Sequence, residues 1–144
     1  MKIILQRVSR ASVSISNKEV SKIGQGYLLF VGIHISDTKV TIKNAVEKIC
    51  KLRLFGDAEG KMNLDIQSVS GEVLVVSQFT LYANTQKGNR PSFIEAAKPE
   101  HAIPLYEFFL SEIGKYVPVQ AGIFGADMQV ELINDGPVTI QLEY

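Results

Sequence analysis

Cysteine is nearly absent from this chain, tryptophan is absent, and neither sign of charge prevails: its 144 residues include one cysteine, two histidines and fifteen basic side chains against fifteen acidic ones. A lone thiol cannot close an intrachain disulfide. Cys50, His34 and His101 together are poor material for a zinc site, so no metal and no cofactor is expected. Balanced charge supplies no long-range field for a polyanion, and any nucleic acid must be met by a local patch. No apolar run approaches the ~18 residues of a membrane span, and Met1-Lys2-Ile3-Ile4-Leu5-Gln6-Arg7 turns polar too early for a secretory leader. A cytoplasmic protein with no membrane partner is expected. Also missing are internal repeats, low-complexity tracts, linkers and any Gly-rich nucleotide loop after a strand.

What is present is 46% hydrophobic and 21% charged, enough to bury a real core in a single domain over residues 1–144. Alternating apolar residues predict strands at Lys2–Val8, Ala11–Ser16 and Glu19–Ile23, then a long apolar one at Tyr27–Ile35 that should be central in its sheet. Ile42, Ala45, Val46, Ile49 and Cys50 recur with helical spacing and predict a helix from about Thr38, with Asp37 as its N-cap. Its outer face carries Lys43, Lys48 and Lys51, with Arg53 beyond, which reads either as a solvated face or as a phosphate contact. A short strand at Leu52–Phe55 and a strongly β-prone one at Glu72–Thr80 follow. Asn84 to Asn89 is a polar loop, and a second helix spans Pro99 to Ile113, ended by Gly114. Near the C-terminus, Met128-Val130-Leu132 and Val138-Ile140-Leu142 alternate with period two and predict paired strands. Between them lies Asn134-Asp135-Gly136-Pro137-Val138-Thr139, readable as hairpin chemistry or as a rigid surface of backbone acceptors. The order of elements argues for an α+β fold with antiparallel or mixed β-sheets packed with two main helices.

Catalytic candidates are few. His34 falls in a β run, His101 at a helix start, and Cys50 on an apolar helix face; all three read more readily as structural. Ser77-Gln78-Phe79-Thr80-Leu81 is the better constellation, because a buried strand there acquires two hydroxyls and an amide as it ends. Side chains and free N–H groups can meet a ligand together at such a point, although strand-end capping accounts for the same residues. Thr80 needs a neighbouring base to act as a nucleophile, and its sequence neighbours supply none. Gly122 to Met128 adds two glycines around Phe124, leading into the last strands through Ala126 and Met128.

Those segments resemble the D-aminoacyl-tRNA deacylases, and the resemblance runs from Met1 to Tyr144 without an evident insertion. Ser77-Gln78-Phe79-Thr80 matches that family's S-Q-F-T motif and Asn134-Asp135-Gly136-Pro137-Val138-Thr139 its N-x-G-P-V-T motif; Gln6-Arg7-Val8, Gly88 through Phe93 and Phe124 through Met128 also fit. The resemblance implies a homodimeric hydrolase that cleaves the ester between a D-amino acid and the terminal adenosine of tRNA, and that also removes glycine mischarged onto tRNA for alanine. It implies a cis Gly136-Pro137 bond that enters the partner's active site and screens chirality there, locked by Arg7. Catalysis is expected from Ser77, Gln78, Phe79 and Thr80, with Phe124, Ala126 and Met128 beside the substrate. N–H groups around Phe79 and Thr80 would hold the oxyanion, with assistance from the tRNA 2′-hydroxyl or, alternatively, attack by Thr80. Lys43, Lys48, Lys51, Arg53, Lys87 and Arg90 are candidate contacts to the acceptor end. Two other readings remain open: a non-catalytic RNA-end binding module, and an enzyme acting on free D-amino-acid esters.

Overall fold

A computed structural model describes residues 1–144, and its organising element is the central strand β3 (Gly26–Gly32). Six of its seven residues are buried, the consequence of an apolar run packed on both faces. On one side β3 pairs antiparallel with β1 (Lys2–Ile15), which continues to β2 (Lys18–Ile23). On the other it pairs parallel with β6 (Glu72–Ser77), and β6 pairs parallel with β7 (Val119–Ala121). Parallel neighbours need long crossovers, supplied here by α1 (Lys39–Lys51) and α2 (Pro99–Ile113). Both helices bury apolar stripes in the main core, with Ile42, Ile49, Phe109 and Ile113 fully enclosed. A smaller cluster, including Val8, Val13, Leu28 and Val76, forms a second core. The result is the α+β fold with a mixed sheet, and no helix in it is long and apolar enough to cross a membrane.

Several expectations change. The separate strands at Lys2–Val8 and Ala11–Ser16 are one element, β1. Thr38, not Asp37, caps α1: Thr38 and Thr41 form a capping box. Asp37 is drawn elsewhere, its Oδ1 2.7 Å from the Met1 ammonium and its Oδ2 accepting from the His34 N–H at 2.7 Å. The expected strand at Leu52–Phe55 is the two-residue β4 (Phe55–Gly56), paired with β5 (Met62–Leu64), which the sequence pattern did not reveal.

The largest correction concerns the C-terminal hairpin. Its two predicted strands do not pair with each other; they are halves of one strand, β8 (Gln129–Glu143), and both halves pair antiparallel with β1. Val8 stands opposite Asn134 and Gln6 opposite Thr139, so Asp135 to Val138 form an excursion facing Arg7. Turn residues between alternating strands look identical whether the chain reverses or bulges out and resumes. The shared partner β1 decides between them.

Candidate active site

A pocket of about 280 Å³ opens at the carboxyl ends of the three parallel strands. Val31 and Ile33 come from the end of β3, Ser77, Gln78 and Phe79 from the end of β6, and Phe124, Gly125 and Ala126 from the segment after β7, with Met128 and Val130 leading into β8. Strand ends are natural places for ligands, because there backbone groups leave the ladder while the sheet holds them in place. Val76, Ala97 and Ala102 complete the wall, and none of the lining residues is titratable. Tyr106 anchors the Phe124 side: its hydroxyl donates to the Val75 carbonyl at 2.9 Å, and its ring packs edge-on to Phe124 at 5.7 Å. Burial pushes the Tyr106 phenol well above its ordinary pKa, so it stays a neutral donor.

The strand expected to run to Thr80 stops at Ser77. The Gln78 N–H still donates to the Val31 carbonyl at 2.8 Å, after which the chain winds into a 3-10 turn, Phe79–Tyr82. Its first i→i+3 bond into the turn runs from the Leu81 N–H to the Gln78 carbonyl. The Phe79 and Thr80 N–H groups precede that bond and so have no acceptor within the turn. Gly32 allows this geometry: a Cβ there would lie 3.0 Å from the Gln78 carbonyl oxygen and 3.1 Å from Leu81 Cβ. Thr80 does not line the pocket, and its hydroxyl pairs with the Gln78 amide Nε2 in a very short contact. An amide is no base, whichever way it is flipped, so Thr80 Oγ1 has no proton acceptor fit to activate it. Phe79 is 57% exposed at the rim, edge-to-face with Phe93 at 5.0 Å.

Arg7, Gly136 and Pro137 gather elsewhere. Arg7 pairs in register with Tyr27, near the start of β3, whereas the pocket begins at Val31. Four residues of strand, about 13 Å, separate those positions. Within the excursion the Gly136-Pro137 bond is cis, and Gly136 has φ +129°. That φ is one L side chains rarely adopt, and a Cβ on Gly136 would also lie 2.7 Å from Arg7 Nη2 and 3.0 Å from Val138 Cγ2, so the position favours glycine. The Asn134 side chain spans the loop: Oδ1 accepts from the Val138 N–H and Nδ2 donates to Thr139 Oγ1, both at 2.9 Å. From beneath, Arg7 Nε donates to the Asp135 carbonyl at 3.0 Å and Nη1 to the Leu54 carbonyl at 2.5 Å. The Arg7 side chain is largely buried, and its charge-assisted bond to Leu54 is part-buried while that to Asp135 lies at the surface.

Ser77, Gln78, Phe79, Phe124, Ala126 and Met128 are therefore brought together, with Thr80 just outside and Arg7, Gly136 and Pro137 in a second assembly. The pocket walls Val31, Ile33, Ala97, Ala102 and Val130 carry no sequence signal that separates them from core residues. Gly32, whose missing side chain seats the 3-10 turn, was equally silent. Of the cationic candidates, Lys51 is neutralised by Glu47 at 2.5 Å. Lys87 and Arg90 belong to the loop that precedes Phe93, and Arg53 adjoins Leu54, which bonds Arg7. The structural readings of the minor candidates fit their surroundings: His101 Nε2 lies 3.1 Å from the Asp37 carbonyl oxygen, and burial pushes the Cys50 thiol up to about 11.

A family model described as D-Tyr-tRNA(Tyr) deacylase matches residues 4–143. Among solved structures, the "c-Myc DNA Unwinding Element Binding Protein" is 42% identical with a TM-score of 0.94, covering 100% of this chain and 99% of that one. A second, described as "Structural Analysis of a probable eukaryotic D-amino acid tRNA deacylase", is 17% identical with a TM-score of 0.84, covering 98% of this chain and 97% of that one, and shares the fold.

Proposed function

The chain belongs to the D-Tyr-tRNA(Tyr) deacylase family and is a D-aminoacyl-tRNA deacylase, and from that premise we propose how its two assemblies divide the work. The pocket holds the aminoacyl ester and the terminal adenosine; the Asp135–Val138 excursion of a second copy judges chirality. The observation that carries this reading is the separation of the two assemblies within one chain. A pinned, exposed turn level with the start of β3 serves a pocket at the other end of that strand only when a partner supplies it, as in a two-fold dimer.

In this scheme the free N–H groups of Phe79, on the pocket wall, and of Thr80, at its edge, meet the carbonyl oxygen of the ester. As the oxygen becomes tetrahedral and negative, they stabilise it. An aminoacyl ester is already activated, so positioning it beside a water and the ribose 2′-hydroxyl suffices, in keeping with a pocket that has no titratable lining. Gln78 and Phe79 orient the nucleoside. Across the pocket, the carbonyls of the partner's Gly136-Pro137 turn lie against the α-carbon, where an L-side chain collides and hydrogen or a D-side chain does not. Glycine attached to tRNA for alanine is therefore hydrolysed too. Lys87 and Arg90 contact acceptor-end phosphates, and affinity falls as salt rises.

DNA binding, suggested by the name of the 42%-identical protein, would draw on a cationic face. Lys51, Lys61 and Lys115 are tied to glutamates and the net charge is zero, which leaves local patches such as Lys87 and Arg90 rather than a broad cationic field.

The test is hydrolysis of D- and L-tyrosyl-tRNA, followed by complementation in trans. Wild-type protein should cleave the D-ester and spare the L-ester. Gly136→Ala should lose rejection of the L-ester and Phe79→Ala should lose hydrolysis; when Gly136→Ala is co-assembled with excess Phe79→Ala, rejection of the L-ester should return, because the intact pocket then meets an intact turn. Equal cleavage of both esters, or no recovery in the mixture, would refute the division of labour.

A further inference from the structure

Phe79 lines the pocket and faces solvent over more than half its surface, so part of its ring is open to a ligand. Its aromatic partner is Phe93, edge-to-face at 5.0 Å with an interplanar angle of 70°. Phe93 is placed from outside the pocket. Asn84 and Ser92 exchange two backbone hydrogen bonds, 2.8 and 3.0 Å, which close the intervening loop at its base. The Asn84 side chain tightens that base further by accepting from the Gln86 N–H at 3.0 Å. Phe93 is the next residue after the clamp, and its carbonyl accepts from the Ala96 N–H at 3.1 Å, so its backbone is held on both sides. The 3-10 turn that bears Phe79 ends at Tyr82, two residues before the clamp begins.

We propose that Phe93 is a positioning residue: it sets the plane of the Phe79 ring so that the exposed part of that ring stacks on the terminal adenine of the substrate. An edge-to-face contact occupies a limited part of a ring and leaves the rest for a base, and stacking on such a platform requires a fixed plane. With Phe93 truncated, Phe79 keeps its place in the chain but samples other rotamers, and the cost falls on substrate binding rather than on the chemical step. The inference rests on the reading of the pocket as the site of the terminal adenosine.

Steady-state hydrolysis of D-tyrosyl-tRNA and binding of adenosine 5′-monophosphate, followed by NMR titration, should be measured on wild type, Phe93→Leu, Phe93→Tyr, Phe79→Leu and the double Leu variant. Phe93→Leu keeps an apolar side chain of similar bulk. It should raise KM and the nucleotide Kd about three- to tenfold, the scale of one aromatic pair, with kcat nearly unchanged. Phe93→Tyr should restore wild-type values. The double variant should match Phe79→Leu, because Phe93 acts through that ring. Unchanged KM and Kd in Phe93→Leu while Phe79→Leu is impaired, or additive losses in the double variant, would overturn the proposal. If the wild type hydrolyses no D-ester yet binds nucleotide with this pattern of variants, the catalytic reading fails and the platform stands.

Discussion

The pocket and the excursion on β8 use opposite strategies to hold backbone groups in place. At the pocket, donors are left free: the Phe79 and Thr80 N–H groups stand at the head of a 3-10 turn with no partner inside it, and the turn is held by packing against Gly32 and Phe93. At the excursion the frame is tied: Arg7 clasps the Asp135 carbonyl and Asn134 bridges to Val138 and Thr139, leaving Gly136 and Pro137 presented on top. A site for a transient oxyanion needs donors with no prior engagement. A surface that rejects one enantiomer needs carbonyls that do not yield. Rejection by a soft loop would merely cost the L-substrate a small displacement, whereas a loop stapled by charge-assisted bonds turns the same collision into a large penalty.

The sharpest way to break the contrast is to untie the excursion. Arg7→Ala removes the bonds to the Asp135 and Leu54 carbonyls. It should cost about 3 kcal/mol in denaturant unfolding. Discrimination between D- and L-tyrosyl-tRNA should shrink by about tenfold or more, with L-ester hydrolysis appearing rather than D-ester hydrolysis vanishing. Selective loss of D-activity with L-rejection intact would assign Arg7 to the pocket instead. Next in size, Gly32→Ala presses a methyl group against the Gln78 carbonyl and Leu81. Displacing the turn should lower kcat by about tenfold and leave chiral discrimination as it was, since it misplaces donors by a fraction of an ångström without touching the excursion. Smallest is Thr80→Ala, which removes a hydroxyl bonded only to the Gln78 amide. Turnover of D-tyrosyl-tRNA should stay within about fivefold of wild type and no acyl-enzyme should be trapped; loss of turnover would restore Thr80 as a nucleophile.

How much of this was legible beforehand follows from what each residue type can signal. Helical spacing placed α2 over Pro99–Ile113, where the structure has it, because six apolar side chains repeat on one face and proline and glycine punctuate the ends. Ser77 to Phe79 and Phe124 to Met128 stood out because polar groups and glycines interrupt apolar strands, and the structure joins them in one pocket. Val31, Ile33 and Ala102 did not stand out, since an apolar residue reads the same in a core wall and a pocket wall. Asp37 misled because its carboxylate suits an N-cap, yet the Met1 ammonium and the His34 N–H compete for it across the fold. The hairpin misled for a related reason: local sequence describes a turn, while the strand with which its flanks pair is chosen by tertiary structure.

That pairing has a consequence for how this protein can change. Since β8 leaves β1 at Asn134 and rejoins it at Thr139 still antiparallel to the same strand, the residues between these points carry none of the sheet's register. Where the Arg7 and Asn134 bonds are kept, an edit there moves no side chain from one face of the sheet to the other, a shift that the same edit inside a ladder would impose on everything downstream. On the proposed division of labour, the segment that meets the α-carbon depends on the scaffold chiefly through Arg7 and Asn134, not through the ladder. Selection can retune which amino acids are refused while the fold stays as it is.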